Sequence, residues 1–246
     1  MMKLPPQVNT AFTLLENSGY EAFLVGGAVR DYVYSNSPAK DWDITTNALP
    51  EQVKEVFAGY HLIETGLKHG TVTVMIDHEP LEITTYRIDG DYSDHRHPDC
   101  VCFTRNLKAD LERRDFTINA LAYNPTTGVV DLVGGKTDLA HGLIRCVGDP
   151  DRRFQEDGLR MLRALRFACV YGMKIEDATA AALHRNKELL RDIAVERIQV
   201  ELTKMLCGKG ITNILREFSD VIAVSIPEIT PTFGFEQHSP HHDKDI

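Results

Sequence analysis

At 246 residues, with 43% hydrophobic and 26% charged residues, the chain has the proportions of an ordinary globular protein of one large domain or two modest ones. A net charge of −9 argues against a protein that coats nucleic acid indiscriminately, although local basic patches can still steer such a substrate. No apolar run reaches bilayer length, the N-terminus is no signal peptide, and five cysteines without zinc-ribbon spacing read as reduced thiols, so a cytoplasmic protein without a membrane segment is expected.

Pro5-Pro6 followed by Val8, Phe12, Leu14 and Leu15 predicts a short amphipathic helix ending near Ser18-Gly19. Residues 21 to 25 read as a buried strand, and Gly26-Gly27 as a tight turn into a helix over 28 to 34. Glycine there lets backbone N–H groups approach a ligand, and the helix N-terminus favours an anion. Lys40-Asp41-Trp42-Asp43-Ile44 follows about fifteen residues later. If it is a strand, Asp41 and Asp43 point to one side, and two neighbouring carboxylates are costly without a cation between them. Mg²⁺ prefers oxygen ligands and arrives with substrate phosphates, so a metal clamp beside a phosphate cradle is one reading. Two solvated aspartates on a surface turn are the other.

Pro50 opens a further helix with Val53, Val56 and Phe57 on one face. Strand candidates follow at 61 to 63, 71 to 76 and 81 to 86. Glu82 in the last of these is either a third carboxylate of the metal site or an edge-strand acid. Residues 88 to 105 are polar and rich in turn formers, the mark of a long loop of the kind that often serves as a lid or binding element. His95 and His97 within it read more simply as solvated than as metal ligands.

The run Arg113-Arg114-Asp115-Phe116-Thr117-Ile118-Asn119-Ala120 fits the start of a buried helix, with Arg114 and Asp115 at its entrance. They suit phosphate and a ribose hydroxyl, or else a helix-capping pair. Asn124 to Gly128 is a turn into a strand over 129 to 133. Strand signals then cease and helical patterns run to about 218, with a boundary at 140 to 150. In the helix beginning near Asp151, Asp157 and Arg160 share a face. Arg163 and Arg166 continue that spacing as a spiral, displaced by about 60° at each step, either reaching a ligand or forming a solvated ion-paired face. Glu196-Arg197-Ile198 suggests packing more than chemistry, and His242-Asp243 resembles half of a hydrolase metal pair whose partner helices are missing.

Taken together, Leu24-Val25-Gly26-Gly27-Ala28-Val29-Arg30-Asp31, Asp41-x-Asp43, Arg113 to Ala120, Glu156-Asp157-x-x-Arg160 and Glu196-Arg197-Ile198 resemble the class II tRNA nucleotidyltransferases. These are the bacterial CCA-adding enzymes and their poly(A) polymerase relatives. The resemblance implies an α/β (α+β) head with a small mixed or antiparallel sheet over 1–145, an all-α neck over 146–225, and the start of a C-terminal body over 226–246. It further implies template-independent addition of C and A, from CTP and ATP, to the tRNA 3′ end.

By the same resemblance, Asp41 and Asp43 would hold two Mg²⁺ ions, and Glu82, from its place in its strand, is a candidate third catalytic carboxylate. Gly26, Gly27 and Arg30 would hold the triphosphate, and Arg114 and Asp115 would meet the ribose. Asp157 and Arg160 would read the base, since a carboxylate suits the amino group that cytosine and adenine share. Arg163 and Arg166 would lie toward nucleotide or phosphate. The 88 to 105 segment resembles the flexible loop whose presence leans toward adding the final A. Family members continue into domains that grip the tRNA elbow, so a fragment is expected.

Overall fold

The computed structural model describes residues 2–36, 41–90, 92, 98 and 100–235. The chain forms two compact units, Met1–Asp149 and Pro150–Ile246.

In the first unit α1 (Pro6–Asn17) begins at proline, which fixes φ where no intrahelical N–H partner is needed. The chain then runs through β1 (Ala22–Val25), α2 (Gly27–Ser35), β2 (Asp43–Thr46), α3 (Pro50–Val56) and β3 (His61–Ile63). There follow β4 (Thr71–Ile76), β5 (Glu79–Thr85), β6 (Arg87–Asp89), β7 (Val101–Phe103), α4 (Leu107–Glu112), β8 (Leu121–Asn124), β9 (Gly128–Asp131) and α5 (Gly135–His141). Seven strands form one mixed sheet in the order β3-β4-β5-β2-β1-β8-β9. Only β2 and β5 pair in parallel, and the other pairings are antiparallel. β4 alternates buried Val72, Val74 and Ile76 with half-buried neighbours, the period-two pattern of a strand with one covered face. Asp77 and His78 both take positive φ between β4 and β5, the geometry a two-residue hairpin turn requires.

Register decides which residues share a face. Val25 opposes Asp43, and Asp43 opposes Glu82, so the three side chains lie on one side of the sheet. On that side Val25, Ala122 and Leu111 of α4 join Ala120 and Val147 in a buried cluster, bordered by Phe23, Leu107, Val130 and Val133. Leu24, Ile44 and Ile83, all fully buried, occupy the opposite side. The sheet therefore offers the carboxylates on one face while an apolar layer fills the other.

Three local expectations are corrected. The strand forecast from residue 40 begins at Asp43, and Asp41 lies in a bend before it. The helix expected after Arg114 is one 3-10 turn, Thr117–Asn119, leading into β8, because an unbroken apolar run looks alike in a buried strand and a buried helix. The flanks of the expected long loop pair as a β6–β7 ribbon, Arg87 opposite Phe103 and Asp89 opposite Val101. His95, Arg96 and His97 lie outside the described residues, as do His242 and Asp243.

The second unit is mainly helical: α6 (Pro150–Glu156), α7 (Leu159–Tyr171), α8 (Asp177–Asn186), α9 (Val195–Leu206), α10 (Ile211–Glu217) and α11 (Ser219–Ser225). The single helix expected from Asp151 is instead two, parted at Asp157-Gly158. A side chain at Gly158 would press on Leu189 O at 3.1 Å, so the bend packs where only glycine fits without adjustment. α7 and α9 pack together, and Arg166 donates to Glu201 across them.

Candidate nucleotide and metal site

The carboxylates come together through backbone register. Asp41, Asp43 and Glu82 line one recess of about 430 Å³, with Gln7, Trp42, Glu79, Pro80 and Leu81 completing its walls. Asp41 arrives from the bend, Asp43 from the first residue of β2, and Glu82 from the neighbouring strand. Burial and the neighbouring charges act together on Asp43. Burial first, and then the Glu82 carboxylate, push its carboxyl above the usual range; Arg114 pulls it back, and Asp41 adds a smaller rise.

Gly26 closes the site on another side. Its φ of +72° and ψ of −138° are foreign to ordinary side chains. A Cβ there would sit 3.6 Å from Asp43 Oδ2 and 3.9 Å from Arg114 Nη1. The glycine bend, the metal-type acid and the arginine are thus immediate neighbours. The helix following the bend, α2, begins at Gly27, whose N–H belongs to the first turn where backbone donors lack helical partners.

The predicted residues divide by what they touch. Arg114 Nη1 lies near the bend and its charge acts on Asp43, while its Nη2 donates to Asp110 Oδ2 at 3.2 Å. Arg30 is 8% exposed. Its guanidinium engages Asp31 with two bonds (2.9 and 3.1 Å) and donates to Asn119 Oδ1 at 2.7 Å. Asn119 in turn donates to Asp115 Oδ1 at 3.1 Å, and that oxygen also accepts the Phe116 N–H at 2.8 Å. Arg30 and Asp115 therefore brace the turn between Arg114 and β8 through their described contacts.

The suitability of the acids for a cation rests on their own chemistry. Among the described residues, no group of three or more His, Cys, Asp or Glu side chains is gathered tightly enough to hold an ion by itself. Mg²⁺ is commonly held by one or two carboxylates, with waters and substrate phosphates completing its shell. Asp41 and Asp43, with Glu82 beside them, match that donor set, and the Asp43 carboxyl, pushed up first by burial and then by Glu82, carries a charge that a cation would offset.

In the second unit the forecast Asp157–Arg160 face takes a different form. Asp157 stands in the break between helices, where Oδ1 accepts the Leu159 N–H at 3.0 Å and Oδ2 accepts from Arg197 Nη2 at 3.0 Å. Arg160 Nη1 donates to Glu156 Oε2 at 2.6 Å and to Arg153 O at 3.2 Å. Arg166 lies over the Phe167 ring at 4.1 Å while paired to Glu201, and Arg163 lies 5.5 Å from the same ring. Arg166 thus ties α7 to α9 through Glu201. Sequence reasoning assigns Arg197 to packing and gives no role to Asp110 or to Glu156 beyond its place in a motif. The acid-to-arginine spacings of three and four around Asp110 and Glu156 were visible signals. Nothing local could join Arg197 to a residue forty positions earlier.

Residues 22–145 match the poly A polymerase head domain, and residues 172–229 match the probable RNA and SrmB-binding site of polymerase A. The chain is 48% identical over 220 residues to the CCA-adding enzyme of Limosilactobacillus fermentum, covering 88% of this chain and 54% of that protein. It is 49% identical over 190 residues to the Enterococcus faecalis CCA-adding enzyme, covering 77% and 46%. Its fold matches the Bacillus stearothermophilus CCA-adding enzyme in complex with CTP at a TM-score of 0.79 and 38% identity, covering 88% of this chain and 53% of that one. A Thermotoga maritima CCA-adding enzyme complexed with tRNA_CCA matches at 0.71 and 25% identity, covering 96% and 55%. The chain spans about half the length of the curated relatives it matches. No described helix is long and apolar enough to cross a membrane. With the head-domain match spanning just over half of its residues, the chain belongs to the poly A polymerase head-domain family.

Proposed function

We propose that this chain carries the nucleotidyl-transfer site of a CCA-adding enzyme, joining C and A from CTP and ATP to the 3′ end of tRNA in the cytoplasm. The observation that carries this reading is the meeting of Asp43, Glu82, Asp41, Gly26 and Arg114 in one place. Relatives described as CCA-adding enzymes, one solved with CTP and another with tRNA_CCA, supply the substrate class.

In the proposed reaction the tRNA 3′-hydroxyl attacks the α-phosphate in line, and pyrophosphate leaves. Asp41 and Asp43 would hold two divalent ions, which when bound lower the pKa of the attacking hydroxyl and neutralise charge on the leaving group. Gly26 and Gly27 give the triphosphate a bend without side chains beside the α2 N-terminus. Arg114 offers a guanidinium beside both bend and acid. Arg30 and Asp115 hold that floor in place, and the Asp115 carboxylate would accept from a ribose hydroxyl.

Asp157 and Arg160 would choose the base. Their fixed partners support this, because a side chain already held by Arg197 or Glu156 needs little ordering when it meets a ligand. Asp157 would accept from the amino group common to cytosine and adenine, and Arg160 would donate to the adjacent ring acceptor.

The head-domain name also fits a poly(A) polymerase or an A-only adder. The test is to supply labelled CTP alone to a tRNA stripped of its 3′ end, then both nucleotides. Stepwise addition of C, followed by A, is expected. Incorporation of A without any C would favour the rival. Absence of magnesium-dependent pyrophosphate release would reduce the chain to a nucleotide-binding module.

A further inference from the structure

The carboxyl of Asp110 is completely buried, yet both oxygens are engaged. Oδ1 accepts from Arg113 Nε at 2.9 Å and from the Arg87 backbone N–H at 3.3 Å. Oδ2 accepts from Arg114 Nη2 at 3.2 Å and from Thr45 Oγ1 at 3.3 Å. Desolvation is the largest influence on its titration and favours the neutral acid, but Arg114 and then Arg113 outweigh it and hold the pKa below the usual carboxylate value. A charge that persists at such a depth is one its partners require.

The balance of the network gives that charge a purpose. Arg113 also meets Asp89 at 3.4 Å, and Asp89 is shared with Arg87 at 2.9 Å. Three guanidinium groups thus share two carboxylates, Arg114 through Asp110. Arg114 is the member that lies near Gly26 and whose charge acts on Asp43, and its buried Nε has no hydrogen-bond partner among the described residues. It is held at one corner by Asp110, with Nη1 on the side of the glycine bend.

We infer that Asp110 is a positioning residue for the nucleotide site: it fixes Arg114 beside the Gly26 bend, so that the guanidinium meets an incoming triphosphate without first being ordered. This rests on the proposed nucleotide role of Arg114. Asp110 itself touches no substrate. An arginine side chain carries large rotamer entropy, and an anchor at Nη2 removes that cost before the ligand arrives.

Trp42, the chain's single tryptophan, lies in the recess wall between the two aspartates, so its fluorescence reports binding without need of turnover. Mg·CTP would be titrated into the full chain and into Arg114→Ala, Asp110→Asn and the double variant, with folding checked by circular dichroism. Each single change is expected to raise Kd roughly tenfold, the size of one charge-assisted hydrogen bond, and the double variant to bind no worse than Arg114→Ala. Should Asp110→Asn fail to fold, Asp110→Glu takes its place: it keeps the charge and displaces it by one methylene, and the same rise is expected. Weakened binding by Arg114→Ala together with parental binding by the Asp110 variant would overturn this inference alone, as would additive losses in the double variant. Parental binding by Arg114→Ala would overturn the nucleotide role of Arg114 and this inference with it.

Discussion

Asp43 and Glu82 are register partners on the parallel strands β2 and β5, and this pairing sets two like charges side by side on one face of the sheet. Neighbouring carboxylates that repel weaken the fold when both are ionised. A cation bound between them would offset that cost.

Burial and that repulsion together shift Asp43 in a direction that can be checked. The folded pKa of Asp43 is raised above its value in the unfolded chain, so the ionised form lowers stability at neutral pH, and the effect disappears below the unfolded value of 3.8. Asp43→Asn should therefore raise the Tm at pH 7 in the presence of chelator, with the difference closing toward pH 3.5. Nucleotide addition should fall on the order of a hundredfold or more, as when an electrostatic contact to the transition state is lost. Parental turnover in this variant would remove the metal assignment.

Glu82→Gln removes the larger of the two acidic neighbours that raise Asp43. The acid limb of the pH–rate profile should move to lower pH, because Asp43 then ionises more readily. Magnesium affinity, read from activity against metal concentration, should fall by a few-fold. An unmoved acid limb would show that Glu82 is a bystander on its strand.

Gly26→Ala tests the bend. The residue would have to adopt a φ of +72° and set its methyl 3.6 Å from Asp43 Oδ2. A loss of about 1–3 kcal/mol in chemical denaturation is expected from backbone strain, with a raised KM for both nucleotides. An alanine variant with parental stability and KM would show that the turn needs no glycine.

Arg197→Met should act on selection. It removes the donor that fixes Asp157 Oδ2 and leaves the first unit untouched. Competition between CTP, ATP and UTP should shift toward UTP, while the KM for the preferred nucleotides changes less. Unaltered selectivity would separate Arg197, and the fixing of Asp157, from base choice.

Arg166→Met separates a tie from a ligand contact. Its pair with Glu201 is largely buried, so loss of one partner should destabilise the second unit by about 3 kcal/mol. Triphosphate affinity in the folded variant should stay near parental. A selective loss of affinity with unchanged stability would favour the phosphate-facing role.

The sequence by itself determined what local physics can encode. Pro6 started α1, the alternation of Val72, Val74 and Ile76 marked β4, and Gly26-Gly27 announced a bend before α2. The motif order was sufficient to identify the family, because residue types at set spacings survive as text. What only the tertiary structure decided was partnership. Hydrogen-bond register brought Glu82 beside Asp43, helix packing brought Arg197 to Asp157, and burial turned Asp110 into the anchor of Arg114. It also parted α6 from α7 at Gly158, where the backbone of Leu189 comes close. Periodicity is a property of neighbours along the chain. Which strand lies beside which, and that Asp157 meets Arg197 forty residues on, depends on long-range contacts that no local window contains.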